Sequence, residues 1–508
     1  MRYSQRAVPA LYFRKIFPLF EVLTAEQTRE ADAQTIAGGV PGIALMETAG
    51  TAVAAEIVKA FKPCPVLVLC GPGNNGGDGF IAAARLKKDG WDVRVACAVK
   101  KNMLKGDAAL ASRQWTSDTE SLNSNLPVHQ TALVVDALFG TGFAGALAPE
   151  TVTLFDKIRS RKITVVAVDV PSGMNATSGD IAPGILKADM TVTFSRKKTC
   201  HMLLPSKTWC GKVIVTHIGI ADDVIAATGS TVFENAPPLW LKSFSLPDVY
   251  ANKYDRGHLV VYGGRKRTGA ACLAAFAGQR AGAGLVTIMS PPESHAIYSG
   301  YRASIMVDAW KDMDAFKAIL RDERKNAVII GPGSGEDVKP MVEAVLGFNK
   351  ACVFDADVFS AFRDCSGELF AKLSPERHVL TPHEGEFERI FGAMEGSKLE
   401  RAQKAAKIAN AVVVLKGADT VIAAPDGTTI INANAPATLA TAGSGDVLAG
   451  LIGGFMAQKM PPFMAAAAAC WLQGEAAGNY GLGLTAEDII SQIPQALNKL
   501  FDLGKIGR

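Results

Sequence analysis

The segment that most restricts this chain is a short apolar run, Val66 to Cys70. It passes without a spacer into GPGNNGGDG, Gly71 to Gly79, and then into the helical stretch FIAAARLKKDG. A run of that length, a glycine-rich turn and a helix form the opening of a βαβ unit. The pattern recurs at Val93 to Val99, Leu133 to Ala137 and Ile163 to Val170, each run ending in a polar or glycine-rich turn. A second series follows at Leu259 to Tyr262, Leu285 to Met289, Val328 to Ile330, Cys352 to Asp355 and Val412 to Leu415. Strands alternating with helices predict an α/β chain built on parallel sheets.

The 508 residues leave room for two or three domains. Gly229 to Asp255, with Pro237, Pro238 and Pro247, reads as a linker carrying a short helix. The expected division is therefore 1–228, with an N-terminal arm 1–20, and 229–508, with the linker 229–255. The two halves share neither motif nor spacing, so two different α/β domains are fused rather than one repeated.

Charge and cysteine usage exclude several partners. The net charge is +4 and the basic residues are spread along the chain, so no stripe follows a phosphate backbone and nucleic acid is not expected. The 9 cysteines have no C-x-x-C spacing, which disfavours a disulfide framework or a zinc ribbon and fits a reducing cytoplasm. The most apolar stretch, Ala465 to Leu472, is too short to span a bilayer, so no membrane is expected. Arg2, Arg6, Arg14 and Lys15 precede the first acidic residue, Glu21. That bias resembles a transit peptide, but the preferred reading is a basic arm packing on a partner subunit, hence a homo-oligomer.

The first six residues of GPGNNGGDG satisfy G-x-G-x-x-G, which sets backbone amides and a helix N-terminus against a phosphate. An ordinary dehydrogenase would want an acidic residue after the next strand, where this chain has Lys100 and Lys101. Asn74, Asn75 and Asp78 exceed what a phosphate loop needs. Two further runs end in carboxylates, Asp136 before Gly140 and Asp169 before Ser172. In an open parallel sheet such strand ends converge on one edge, where ligands bind.

GPGNNGGDG, DALFGTG and DVPSG, in this order, resemble the NAD(P)H-hydrate epimerase family, the YjeF N-terminal domain, over about residues 20–228. The resemblance implies a Rossmann-like parallel sheet with helices on both faces. It implies hydrate binding by Asn74, Asn75, Gly76, Gly77 and Asp78, and by Gly140, Thr141, Gly142, Phe143, Ala144, Gly145 and Ala146. Asp169 would lie beside the reacting carbon as the catalytic carboxylate, and Asn75, Asp136 and Ser172 would hold a potassium ion.

In the second half, Gly443-Ser444-Gly445-Asp446 joins a polar segment to an apolar helix. Glycines there let backbone amides approach a transferring phosphoryl group, and the carboxylate is placed to take a proton from an attacking hydroxyl. Lys416 and Thr420 follow an apolar run in VVVLKGADT and suit a nucleotide phosphate, although a β-hairpin turning at Asp426-Gly427 also explains that segment. IIGPGSG, VFDAD with Asp355 and Asp357, and TPHEGE with His383, Glu384 and Glu386 complete the candidates.

This set, with GAACLAAFAGQRAGAGLVT, resembles the ADP- or ATP-dependent NAD(P)H-hydrate dehydratases, a branch of the ribokinase-like fold, over about residues 235–500. The resemblance implies catalysis by Asp446 and hydrate contacts from Ala270, Gly333, His383 and Asp446. It implies nucleotide contacts from Lys416, Gly417, Ala418, Asp419, Thr420 and Gly445, with magnesium on the phosphates. Two positions depart from the family: Asn434-Ala435-Pro436, where a glycine is usual, and Gln473-Gly474, where His-Gly is common.

The expected ligands are thus hydrated NADH or NADPH and ADP, or ATP. The fused arrangement resembles the prokaryotic one, in which ADP is the donor giving AMP and phosphate. A ribokinase-like small-molecule kinase with a regulatory N-terminal half, or a non-catalytic nucleotide-binding scaffold, are the competing readings.

Overall fold

The computed structural model describes residues 20–244 and 249–506. The basic arm, apart from Phe20, lies outside them. The chain forms two compact units, dividing between Val232 and Phe233.

In the N-terminal unit seven strands form one sheet in the order Glu120–Ser121, Val93–Cys97, Val66–Cys70, Leu133–Ala137, Thr164–Val168, Met190–Phe194 and Lys212–Thr216. Every pairing is parallel. Val66, Val68 and Cys70 belong to the core on one face, while Leu67 and Leu69 belong to the core on the other. A strand buried on both sides has no polar position to spare, which is why these runs read as continuously apolar.

From Val66–Cys70 the chain winds outward through Val93–Cys97, then returns to the opposite side at Leu133–Ala137. The order therefore reverses between Val66–Cys70 and Leu133–Ala137, and the loops after these strands part to leave a crevice. A separate two-stranded parallel pairing, Val22↔Lys197 and Leu23↔Lys198, ties the N-terminal helix Ala25–Ala37 to the segment after Met190–Phe194. Thr24 caps that helix, exchanging hydrogen bonds with Gln27.

The C-terminal unit holds a ten-stranded sheet. Its pairings are parallel from Met306–Ala309 through Leu285–Ser290, His258–Tyr262, Lys325–Ile330, Ala351–Phe354 and His378–Leu380 to Val412–Leu415. An antiparallel hairpin, Val421–Ala423 and Thr429–Ile431, continues it, turning at Asp426-Gly427. Val232–Glu234 adds the edge strand.

The segment read as a linker is thus partly built into this unit. Val232–Glu234 lies in the sheet, Pro237 begins the helix Pro237–Trp240, and Asn235 donates to Asn432 Oδ1 and to the carbonyl of Ala467. Pro237 and Pro238 start a helix instead of extending a tether, and Pro247 lies outside the described residues.

Beneath the sheet, helix Thr268–Arg280 crosses helix Ser444–Ala457 on small residues. A Cβ at Gly450 would stand 2.3 Å from the Ala274 carbonyl oxygen, so only glycine permits that approach.

Candidate active sites

The loops at the reversal point of the N-terminal sheet line a cavity of about 430 Å³. Asp169 occupies its floor, following the strand Thr164–Val168 with a left-handed φ of 65°. Its Oδ2 accepts from the Thr141 amide at 3.0 Å, and its Oδ1 accepts from Thr193 Oγ1 at 3.0 Å and from Lys198 Nζ at 2.7 Å. Burial opposes charge on this carboxyl, but the Lys198 ammonium outweighs it and holds the pKa below the usual carboxylate range.

His201 accepts from the Lys198 amide through Nδ1, so Nε2 carries the proton and meets the Asp169 carbonyl oxygen at 3.1 Å. Burial, reinforced by Lys198, lowers the pKa of that imidazole to about 3 and keeps it neutral. The carboxylate is held from several directions and stays ionised.

Asp136 lies beneath this floor, fully buried. Its Oδ1 accepts from Ser172 Oγ at 2.6 Å and its Oδ2 from the Ser172 amide at 2.9 Å. Ser172 Oγ also accepts from the Phe139 amide at 2.9 Å. Asn75 has a buried Nδ2 with no hydrogen-bond partner, while a Cβ on Gly140 would fall 2.9 Å from Asn75 Oδ1 and 3.0 Å from Asp169 Oδ2. Gly140 thus leaves the space in which those two side chains approach.

Asn74, Asn75, Asp78, Gly140, Thr141, Gly142 and Phe143 line the cavity. Ala144, Gly145 and Ala146 do not, and Gly76 and Gly77 act through packing. A Cβ on Gly76 would meet the Gly71 carbonyl oxygen at 2.0 Å, and one on Gly77 would meet Met46 Sδ at 2.3 Å. Asp78 is buried near Asp169 and Asp32, and burial first, then these carboxylates, push its pKa well up.

In the C-terminal unit a cavity of about 380 Å³ is lined by His383, Lys416, Gly417, Ala418, Thr420 and Gly445 among others. Lys416 Nζ pairs with Asp355 Oδ1 at 2.8 Å and with Glu386 Oε2 at 3.5 Å. Asp446 sits in the first turn of helix Ser444–Ala457, whose N-cap Gly443 has φ 85°. Burial, then the Asp355 charge, raise the Asp446 pKa to about 7 against the pull of Lys416. A carboxyl poised near neutrality at a helix N-terminus is suited to general-base work.

Other positions carry structural duties. His383 caps helix Glu384–Phe391, its Nδ1 accepting from the Gly385 and Glu386 amides, while its Nε2 lies 3.4 Å from Glu386 Oε1. Asp419 pairs with Lys398 Nζ at 2.7 Å. Ala270 and Gly333 are neighbours, a Cβ on Gly333 falling 3.2 Å from Ala270 Cβ. Ala356 takes φ 48° and ψ −112° between Asp355 and Asp357, the latter accepting from the Gly335 amide at 2.8 Å.

Comparison with known proteins decides the family. A Salinibacter ruber protein named bifunctional NAD(P)H-hydrate repair enzyme is 34% identical, with 95% of this chain and 97% of the relative covered. The chain belongs to the bifunctional NAD(P)H-hydrate repair enzyme family. An Escherichia coli relative of that name is also 34% identical, over 85% of both chains.

Within this family membership the two units divide cleanly. Residues 42–200 match the YjeF-related protein N-terminus, and residues 258–495 match NAD(P)H-hydrate dehydratase. A Bacillus subtilis ADP/ATP-dependent NAD(P)H-hydrate dehydratase, co-crystallised with ATP and Mg2+, is 26% identical. It covers 53% of this chain and 98% of its own, with a TM-score of 0.45.

The departures from the family pattern have local explanations. Asn434 donates to the Trp471 carbonyl at 2.9 Å and fills the space over Gly474, anchoring the Asn-Ala-Pro segment to helix Pro462–Tyr480. Gln473 donates to the Ser444 carbonyl at 2.6 Å, steadying the start of the Asp446 helix. Lys198, Thr193 and Asp32 were not found by sequence reasoning. Lys198 stands in a basic run, Arg196 to Lys198, that reads as a solvated face.

Proposed function

We propose that the N-terminal unit interconverts the R and S hydrates of NADH and NADPH, and that the C-terminal unit dehydrates the S form with ADP, giving AMP and phosphate. The cytoplasm is the proposed place of action.

At the epimerase site Asp169 stabilises positive charge at the carbinol carbon and accepts a proton, being held ionised by Lys198. Asn75, Asp136 and Ser172 fit a monovalent cation by their oxygen donors and one formal negative charge, the Ser172 hydroxyl and Asp136 Oδ1 already lying 2.6 Å apart. Potassium held there would supply fixed positive charge beneath the site.

At the dehydratase site Asp446 takes the proton from the ring hydroxyl as its oxygen attacks the terminal phosphorus of ADP. The bond to AMP breaks, and the helix amides near Gly445 receive phosphoryl charge. The ring nitrogen's lone pair then expels phosphate, and loss of a neighbouring C–H proton restores the dihydronicotinamide. Among the described residues no cluster of three or more His, Cys, Asp or Glu side chains is placed to hold a metal. Magnesium therefore fits as an ion carried mainly by the nucleotide's own phosphates, where it would neutralise their charge.

The observation that carries this reading is Asp446, raised to about 7 in the first turn of its helix, across from the Lys416–Asp355 pair. Incubation with hydrated NADH, ADP and magnesium should restore dihydronicotinamide absorbance. Failure with both ADP and ATP refutes the dehydratase assignment.

A further inference from the structure

The epimerase cavity contains a carboxyl that no motif announced. Asp32 lies on helix Ala25–Ala37, which the Leu23↔Lys198 pairing draws alongside the segment bearing Lys198. Ala31 and Thr35 are buried on this helix, and Thr28, Ala31 and Asp32 line the same cavity as Asp78, Asp169 and Lys198. Among the described residues the Asp32 carboxyl makes no hydrogen bond or ion pair. A half-buried acid with no partner in the fold, facing a cavity that already holds an ionised carboxylate, is free to act on a ligand.

We propose that Asp32 is the proton donor of the epimerase, delivering a proton to the departing hydroxyl of the hydrate while Asp169 receives one from the incoming water. The inference rests on the epimerase reading above. The C–O bond breaks with its electron pair going to oxygen, which takes the Asp32 proton and leaves as water. The ring nitrogen's lone pair forms the C=N bond of an iminium. Water adds to the other face, its surplus proton passes to Asp169, and the reverse turnover or exchange with cavity water resets both carboxyls.

The two environments divide the labour. Burial first, with help from Asp169 and against Lys198, lifts the Asp32 pKa to about 6, whereas Lys198 keeps Asp169 ionised. Carboxyls driven apart in this way supply an acid and a base at one pH. Arg29, Asp78, Asp107, Asp169 and Lys198 are the charged groups that share the cavity with Asp32.

The test is the pH dependence of epimerase kcat and KM, corrected for uncatalysed epimerisation, in wild type, Asp32→Asn and Asp32→Glu. Wild type should lose rate as the pH rises through about 6, because the donor must be protonated. Asp32→Asn should lose kcat by about 10²–10⁴-fold, with hydrate KM little changed and no such limb. Asp32→Glu should recover part of the rate with a displaced limb, which a folding defect at this position would not produce. An Asp32→Asn enzyme within about threefold of wild type with the limb intact, or a change confined to KM, overturns the proposal. A wild type without epimerase activity, or an Asp169→Asn enzyme as fast as wild type, would instead overturn the epimerase reading on which it stands.

Discussion

Lys198 Nζ stands 2.7 Å from Asp169 Oδ1, with both side chains nearly sealed from solvent. Neither is stable there alone, since one partner's removal from a buried ion pair leaves an uncompensated charge worth roughly 3–5 kcal/mol. Lys198→Met should therefore lower the unfolding temperature of the N-terminal unit in calorimetry. It should also raise the Asp169 pKa and cut epimerase kcat by at least about 100-fold. Dehydratase activity on the S hydrate should persist.

Dehydratase kcat/KM should rise with pH through about 7, because Asp446 must be ionised to accept the hydroxyl proton. Asp446→Asn should lower that rate by about 10²–10⁴-fold and remove the limb while epimerisation continues. A variant that loses both activities would mean that the two units do not work independently.

Replacing potassium chloride by choline chloride at equal ionic strength should slow epimerisation, and Asp136→Asn should remove the difference between the two salts. An epimerase indifferent to the cation would exclude the potassium site at Asn75, Asp136 and Ser172.

His201 has a pKa of about 3 in the folded protein, against 6.5 for an ordinary histidine. Between those values the unfolded chain binds one more proton, so this residue's contribution to stability is complete above about pH 6.5 and falls as the pH drops. His201→Gln should flatten the acid slope of the N-terminal unit's stability by about 1.4 kcal/mol per pH unit. Denaturant melts between about pH 6 and pH 4 would show it; parallel slopes for the two proteins would contradict it.

Much of this was legible in the sequence because strand ends are local objects. The strands Val66–Cys70, Leu133–Ala137 and Val412–Leu415 match their apolar runs, and Asp136 was visible near the end of such a run and Asp169 just after the strand Thr164–Val168. Lys198 and Asp32 were not, because their meaning is tertiary. Lys198 reaches Asp169 only after the chain turns at Ser195, with φ 60°, and Asp32 faces the cavity only because Leu23 pairs with Lys198. Asp419 is placed tertiarily in the same way: it stands in KGADT, and Lys398, at the start of the preceding helix, takes up its side chain. No spacing rule anticipates that pairing.

The backbone at Ala356 has a further implication. Its φ of 48° and ψ of −112° lie where an L residue is strained by about 1–3 kcal/mol, so the loop keeps this shape only while its neighbours enforce it. The enforcing contacts are those of the flanking acids, Asp355 with Lys416 and Asp357 with the Gly335 amide. Breaking either contact lets the peptide relax and carries the other acid out of position. Local melting of this corner should accordingly be all-or-none, with no species that keeps one anchor and loses the other.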